Sequence, residues 1–77
     1  NTNTVRDLEN NPVLFAELMK SIGRVVRDGA VTQLSLTVVI TEVTGRRQSV
    51  APRVIEWLVT KGRLTRSGAD PKIFMVN

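Results

Sequence analysis

The stretch Val54-Ile55-Glu56-Trp57-Leu58-Val59-Thr60-Lys61-Gly62-Arg63-Leu64 decides the fold, because within it the pattern changes from a helical period to the start of a strand. At 100° per residue, Val50, Ala51, Val54, Ile55 and Leu58 share one apolar face, with Trp57 and Val59 at its two edges. Ser49, Pro52, Arg53, Glu56 and Thr60 take the opposite face. Proline is tolerated only in a first turn, where backbone N–H groups lack intrahelical partners, so Pro52 predicts a helix that begins at Ser49 and is stopped by Gly62. Downstream, Arg63-Leu64-Thr65-Arg66 and Lys72-Ile73-Phe74-Met75-Val76 flank Ser67-Gly68-Ala69-Asp70-Pro71, the pattern of a β-hairpin with a basic stem.

Upstream, Gly45 and the pair Arg46-Arg47 separate this helix from Leu36, Val39, Ile40 and Val43, which recur at helical spacing. The run Thr37-Val38-Val39-Ile40-Thr41 is β-branched, so local propensity favours a strand. Gly45 nevertheless closes the segment as a helix C-terminus does, and a helix capped by Ser35 is expected. Ala30-Val31-Thr32-Gln33 before it is a short β-prone stretch. Asn11-Pro12 is a helix start, and Leu14, Phe15, Leu18, Met19, Ile22, Val25 and Val26 carry that helix from Pro12 to Asp28, where Gly29 stops it. Thr4-Val5-Arg6-Asp7 fits a capping box for a short turn from Val5 to Glu9. The expected organisation is an N-terminal extension or short capping helix over residues 1–11 and one domain over residues 12–77.

A chain of 77 residues supports one small domain. It has no cysteine and no histidine, which removes disulfides, thiolate nucleophiles, imidazole bases and the common zinc sites. No carboxylate pair stands at a recognisable catalytic spacing, so neither an enzyme nor a cofactor or metal is expected. Eleven Lys and Arg stand against seven Asp and Glu, a net charge of +4. Residues 44–77 hold seven of those cations and only Glu56 and Asp70 as anions, a local net of +5, whereas residues 1–43 carry four cations and five anions. A polyanionic partner is the expectation. No apolar run approaches the roughly 18 residues of a membrane span, and no signal peptide is visible, so an intracellular protein without a membrane partner is expected. The start at Asn1 without methionine suggests a processed chain or one cut from a longer protein.

The order helix, short strand, helix, tight turn, helix, β-hairpin resembles the winged helix-turn-helix superfamily from Pro12 to Val76, an α+β fold with a three-helix core and a C-terminal hairpin wing. The spacing from Gly45 through Gly62 to Asp70-Pro71 is similar to that of Zα domains. At that family's helix-three signature the chain has Ser49, Pro52, Arg53 and Glu56, keeping only the arginine. In the wing it has Asp70-Pro71-Lys72, with Phe74 in place of a supporting tryptophan. The superfamily resemblance implies that helix three enters the major groove of double-stranded DNA and that the wing touches the flanking backbone.

On that expectation Arg46 and Arg47 lie in the turn where side chains and free N–H groups meet a phosphate strand. Arg53 projects from the recognition face, able to contact guanine or phosphate, or to pair with Glu56 three residues on. Glu56 can orient an arginine or accept from cytosine, and Ser49 can cap the helix or touch a phosphate. Arg63, Arg66 and Lys72 surround the wing, where phosphate contact competes with simple solubility of an exposed edge. Trp57 and Phe15 read as packing residues rather than stacking platforms. The expected function is duplex DNA binding in a transcriptional regulator or in a replication or mobile-element protein. The alternative is a winged helix used for protein–protein interaction, and a homodimer or further domains of a parent protein are the other partners to consider.

Overall fold

Every helix and strand places at least one side chain in a single hydrophobic core. The computed structural model describes residues 4–77, so residues 1–3 of the expected extension lie outside the described residues. The elements are α1 (Thr4–Asn10), α2 (Pro12–Val25), β1 (Ala30–Thr32), α3 (Gln33–Thr44), a 3-10 turn (Gln48–Val50), α4 (Ala51–Thr60), β2 (Leu64–Arg66) and β3 (Ile73–Val76). They form an α+β fold of four helices and one antiparallel sheet in the order β1-β3-β2, an arrangement compatible with a winged helix. No helix among the described residues is long and apolar enough to cross a membrane.

Asn11 starts α2 as its residue type dictates: the side-chain Oδ1 accepts the Leu14 N–H at 3.1 Å, and Pro12 occupies the first turn. The helix ends at Val25, three residues short of the expected Asp28. Val26 is already extended, and Arg27 and Ala30 exchange backbone hydrogen bonds of 2.8 and 3.0 Å. Between them Asp28 and Gly29 both have positive φ, 55° and 77°. That is the requirement of a tight hairpin turn, and Asp-Gly is its strongest sequence signal, so Gly29 turns the chain into β1 instead of capping α2.

The β-branched segment is helical, as Gly45 foretold. Thr32, rather than the expected Ser35, caps α3: its Oγ1 accepts the Ser35 N–H at 3.1 Å. Gly45 closes the helix in the left-handed conformation, φ 69°, and donates its N–H to the Thr41 carbonyl at 2.9 Å. The threonines adapt to the helix by donating their hydroxyls backwards, Thr37 to Gln33, Thr41 to Val38 and Thr44 to Ile40. Burial of Leu36, Val39 and Ile40 overrides the strand propensity of this run.

The expected capping box at Thr4 is not formed. Thr4 is the first residue of α1, and its buried Oγ1 has no hydrogen-bond partner among the described residues. Instead α1 is held by Leu8, which is fully buried, so the described part of the extension packs on the domain and makes a fourth helix of the core.

In β3, Phe74 pairs with Val31 on one side and Arg66 on the other, while Leu64 faces Val76. Val31, Leu64 and Phe74 turn to the helices, and Met75, one residue on from Phe74, is exposed as the pleat requires.

The alternation in α3 provides the check on this architecture. In a strand, residues 36 and 38 would share a face; here Leu36 is fully buried and Val38 is 48% exposed. Leu36→Ala should lower the unfolding free energy by about 2–5 kcal/mol and Val38→Ala by less than about 1 kcal/mol, measured by denaturant titration. Equal losses at both positions would contradict the helix.

Candidate nucleic-acid interface

The apolar face of α4, Ala51, Val54, Ile55 and Leu58, is buried, which leaves Pro52, Arg53, Glu56 and Thr60 facing outward. The amphipathic pattern alone therefore fixes which side of this helix is left outside the core. The chain reaches α4 through the 3-10 turn, so the helix begins at Ala51 and not at Ser49. Val50 is its N-cap without a side-chain hydrogen bond, and Ser49 lies exposed in the turn, so the expected capping role of Ser49 is not realised.

Arg53 and Glu56 do not pair. Glu56 instead forms an ion pair with Arg66 of β2. The reason lies in the pleat: Leu64 and Arg66 are two apart and share the face of the sheet turned to α4, so the Arg66 side chain leans inward. Its guanidinium covers the Phe74 ring at 5.2 Å and ends at the Glu56 carboxylate. Arg66 thus belongs to the seam between wing and helix.

Arg46 is also engaged. Its Nη2 donates to Asp7 Oδ2 of α1 at 2.8 Å, tying the first helix to the turn before α4. Arg63 leaves the wing altogether and lies 5.4 Å from the centre of the Phe15 ring on α2. Arg47, Arg53 and Lys72 are exposed, and among the described residues no hydrogen bond or ion pair holds their side chains.

Lys72 is placed by the wing loop. Its backbone N–H donates to Asp70 Oδ1 at 2.9 Å, and its carbonyl accepts the Gln33 N–H at 2.8 Å. The residue consequently lines, with Gln48 of the 3-10 turn, a groove of 470 Å³ between the wing and the start of α3. Of the eight residues singled out in the sequence, Arg47, Ser49, Arg53 and Glu56 line the turn and the outer face of α4. Arg66 joins them through Glu56, and Lys72 stands across the groove from Gln48. Arg46 and Arg63 are directed towards α1 and α2.

Two participants escaped the sequence reading. Asp7 is 39 residues from Arg46, and nothing in the local pattern announces their meeting. Lys61 follows Trp57 by one helical turn, a spacing at which side chains meet and from which the contact could have been read, and its Nζ lies 5.4 Å from the Trp57 ring centre. Among the described residues no group of His, Cys, Asp or Glu could hold a metal ion. Comparison with protein families, with curated proteins and with solved structures finds no match.

The ion pair of Glu56 is open to measurement. Its partners are about half exposed, so a double-mutant cycle on Glu56 and Arg66 should give a coupling of about 0.2–1 kcal/mol that weakens with salt. The corresponding cycle on Glu56 and Arg53 should give none, and coupling there instead would mean that Glu56 turns the other way.

Proposed function

We propose that the chain is a winged-helix domain that binds double-stranded DNA, with α4 in the major groove and the wing on the flanking backbone. The observation that carries this reading is a set of three exposed cations held by no ion pair, Arg47 and Arg53 at the start of α4 and Lys72 at the groove that Gln48 lines before it. Arg47 precedes the helix, Arg53 projects from its first turn and Lys72 lines the groove shared by Gln48 and the start of α3, three positions that one duplex could reach together. Pro52, Ser49 and Thr60 between them present no bulky side chain to obstruct a groove.

Glu56 has a defined part in this proposal. Its carboxylate holds Arg66 in the free protein, and a phosphate can take its place at the guanidinium, because the pair is solvent-exposed and weak. A carboxylate on a groove-facing surface also repels the backbone, which penalises non-specific contact more than a site where Arg53 finds a guanine. The domain would serve a transcriptional regulator or a replication or mobile-element protein.

A second reading, a protein-interaction module, is favoured by one feature. Leu34 is 75% exposed at the groove that Lys72 and Gln48 also line, and Val38, 48% exposed, lies one turn further along the same side of α3, an exposed apolar pair.

Salt dependence separates the two. Duplex affinity should fall with salt at a log–log slope of about −4 to −5, the signature of four to six phosphate contacts. Arg47→Ala should reduce that slope by about 1 and weaken all duplexes alike, whereas Arg53→Ala should cost about 1–3 kcal/mol on a preferred site. Absence of duplex binding at low salt would leave the protein-interaction module.

A further inference from the structure

Phe15 of α2 and Trp57 of α4 meet edge to face, with ring centres 5.6 Å apart and planes at 79°. They are two of only three aromatic residues in the chain, and neither is fully buried. With Glu9, Pro12, Lys61 and Arg63 they line an open cleft of 210 Å³ where α1, α2 and α4 converge. Each ring carries a cation over it, Lys61 over Trp57 and Arg63 over Phe15, both at 5.4 Å.

We propose that this cleft takes an unpaired nucleobase, stacked on the Trp57 indole and walled by Phe15, with the flanking phosphates on Lys61 and Arg63, so that the domain binds at a junction between duplex and single strand. The inference rests on the duplex binding proposed above and adds a second, separate site. Three features of the cleft match three parts of one nucleotide. The indole of Trp57 offers a flat apolar face to a base, and Phe15, set at 79° to it, closes one side. The ammonium of Lys61 and the guanidinium of Arg63 are exposed donors for phosphate oxygens. The Glu9 carboxylate at the rim can accept from an exocyclic amino group.

The cations now over the rings do not block this. Both are solvent-exposed, and base–aromatic stacking is the stronger interaction at such a site, so a base can displace them while its own phosphates receive them. Position along α4 links the cleft to the duplex-facing surface: Arg53, Trp57 and Lys61 follow one another at intervals of four residues and lie along one side of the helix. A strand leaving the major groove beside Arg53 reaches the cleft within two helical turns.

Trp57 is the only tryptophan, so its fluorescence reads the cleft directly. The full chain would be titrated with a blunt duplex, with the same duplex carrying a short single-stranded overhang, and with an overhang of equal length whose residues are abasic. The overhang with bases should quench Trp57 and bind about tenfold more tightly than the blunt duplex. The abasic overhang, with the same phosphates, should leave the fluorescence unchanged and gain far less. Lys61→Ala and Phe15→Leu should each shrink the gain, and Trp57→Leu, followed by affinity, should remove most of it, all three leaving blunt-duplex affinity as it was. Equal gains from both overhangs, or stronger quenching by a poly-glutamate peptide than by the overhang, would overturn the proposal. Blunt duplex that binds without any overhang gain refutes the cleft alone. Quenching by the overhang without blunt-duplex binding refutes the groove reading and keeps the cleft.

Discussion

The pairing of β1 with β3 is the constraint on which the remaining geometry depends. β1 lies between α2 and α3, and β3 is the last element, so their register joins the middle of the chain to its end. Val31 opposite Phe74 places both side chains in the core; a slip of one residue would turn them out and bring Ala30, Thr32 or Met75 inward. With β3 fixed in this way, β2 can pair only on its other edge, beside α4. The position of the wing relative to the outward face of α4 thus follows from three residues of β-ladder and the two-residue turn at Asp28-Gly29 that launches it.

Charge then divides the surface into cations that are held and cations that are free. Asp7 holds Arg46 and Glu56 holds Arg66, while Arg47, Arg53 and Lys72 project between them. Exposed pairs of this kind contribute little to stability, so they act mainly on where a guanidinium points. The held arginines point to α1 and to α4; Arg47, Arg53 and Lys72 are directed by no such pair.

Much of the fold was legible because its signals are local. Asn11-Pro12, Gly45 and the period of Val54, Ile55 and Leu58 each specify a helix boundary or face through backbone chemistry within a few residues. The threonine-rich α3 was readable only by weighing Gly45 against propensity, and its cap moved from Ser35 to Thr32 because a cap depends on side-chain geometry that spacing does not resolve. The end of α2 was misplaced for a clearer reason: Asp28-Gly29 carried a hairpin signal, and apolar Val25 and Val26 concealed it by continuing the helical period. The site was legible to the extent that one helix face defines it. The partners of Arg46 and Arg63 were not, since each lies on an element distant in sequence, α1 and α2, and that of Arg66 was not because it depends on how the β2 strand packs against α4.

The central claim is that α4, the turn before it and the wing form one surface for a duplex. Backbone amide chemical shifts recorded while a short B-form duplex is added test it most directly. The largest changes should fall on Arg47, Ser49, Arg53 and Glu56, with Arg66 and Lys72 following, and the amides of Val38 and Glu42 further along α3 should stay still. Changes concentrated on α3, or spectra unaltered by duplex at low salt, would contradict the account.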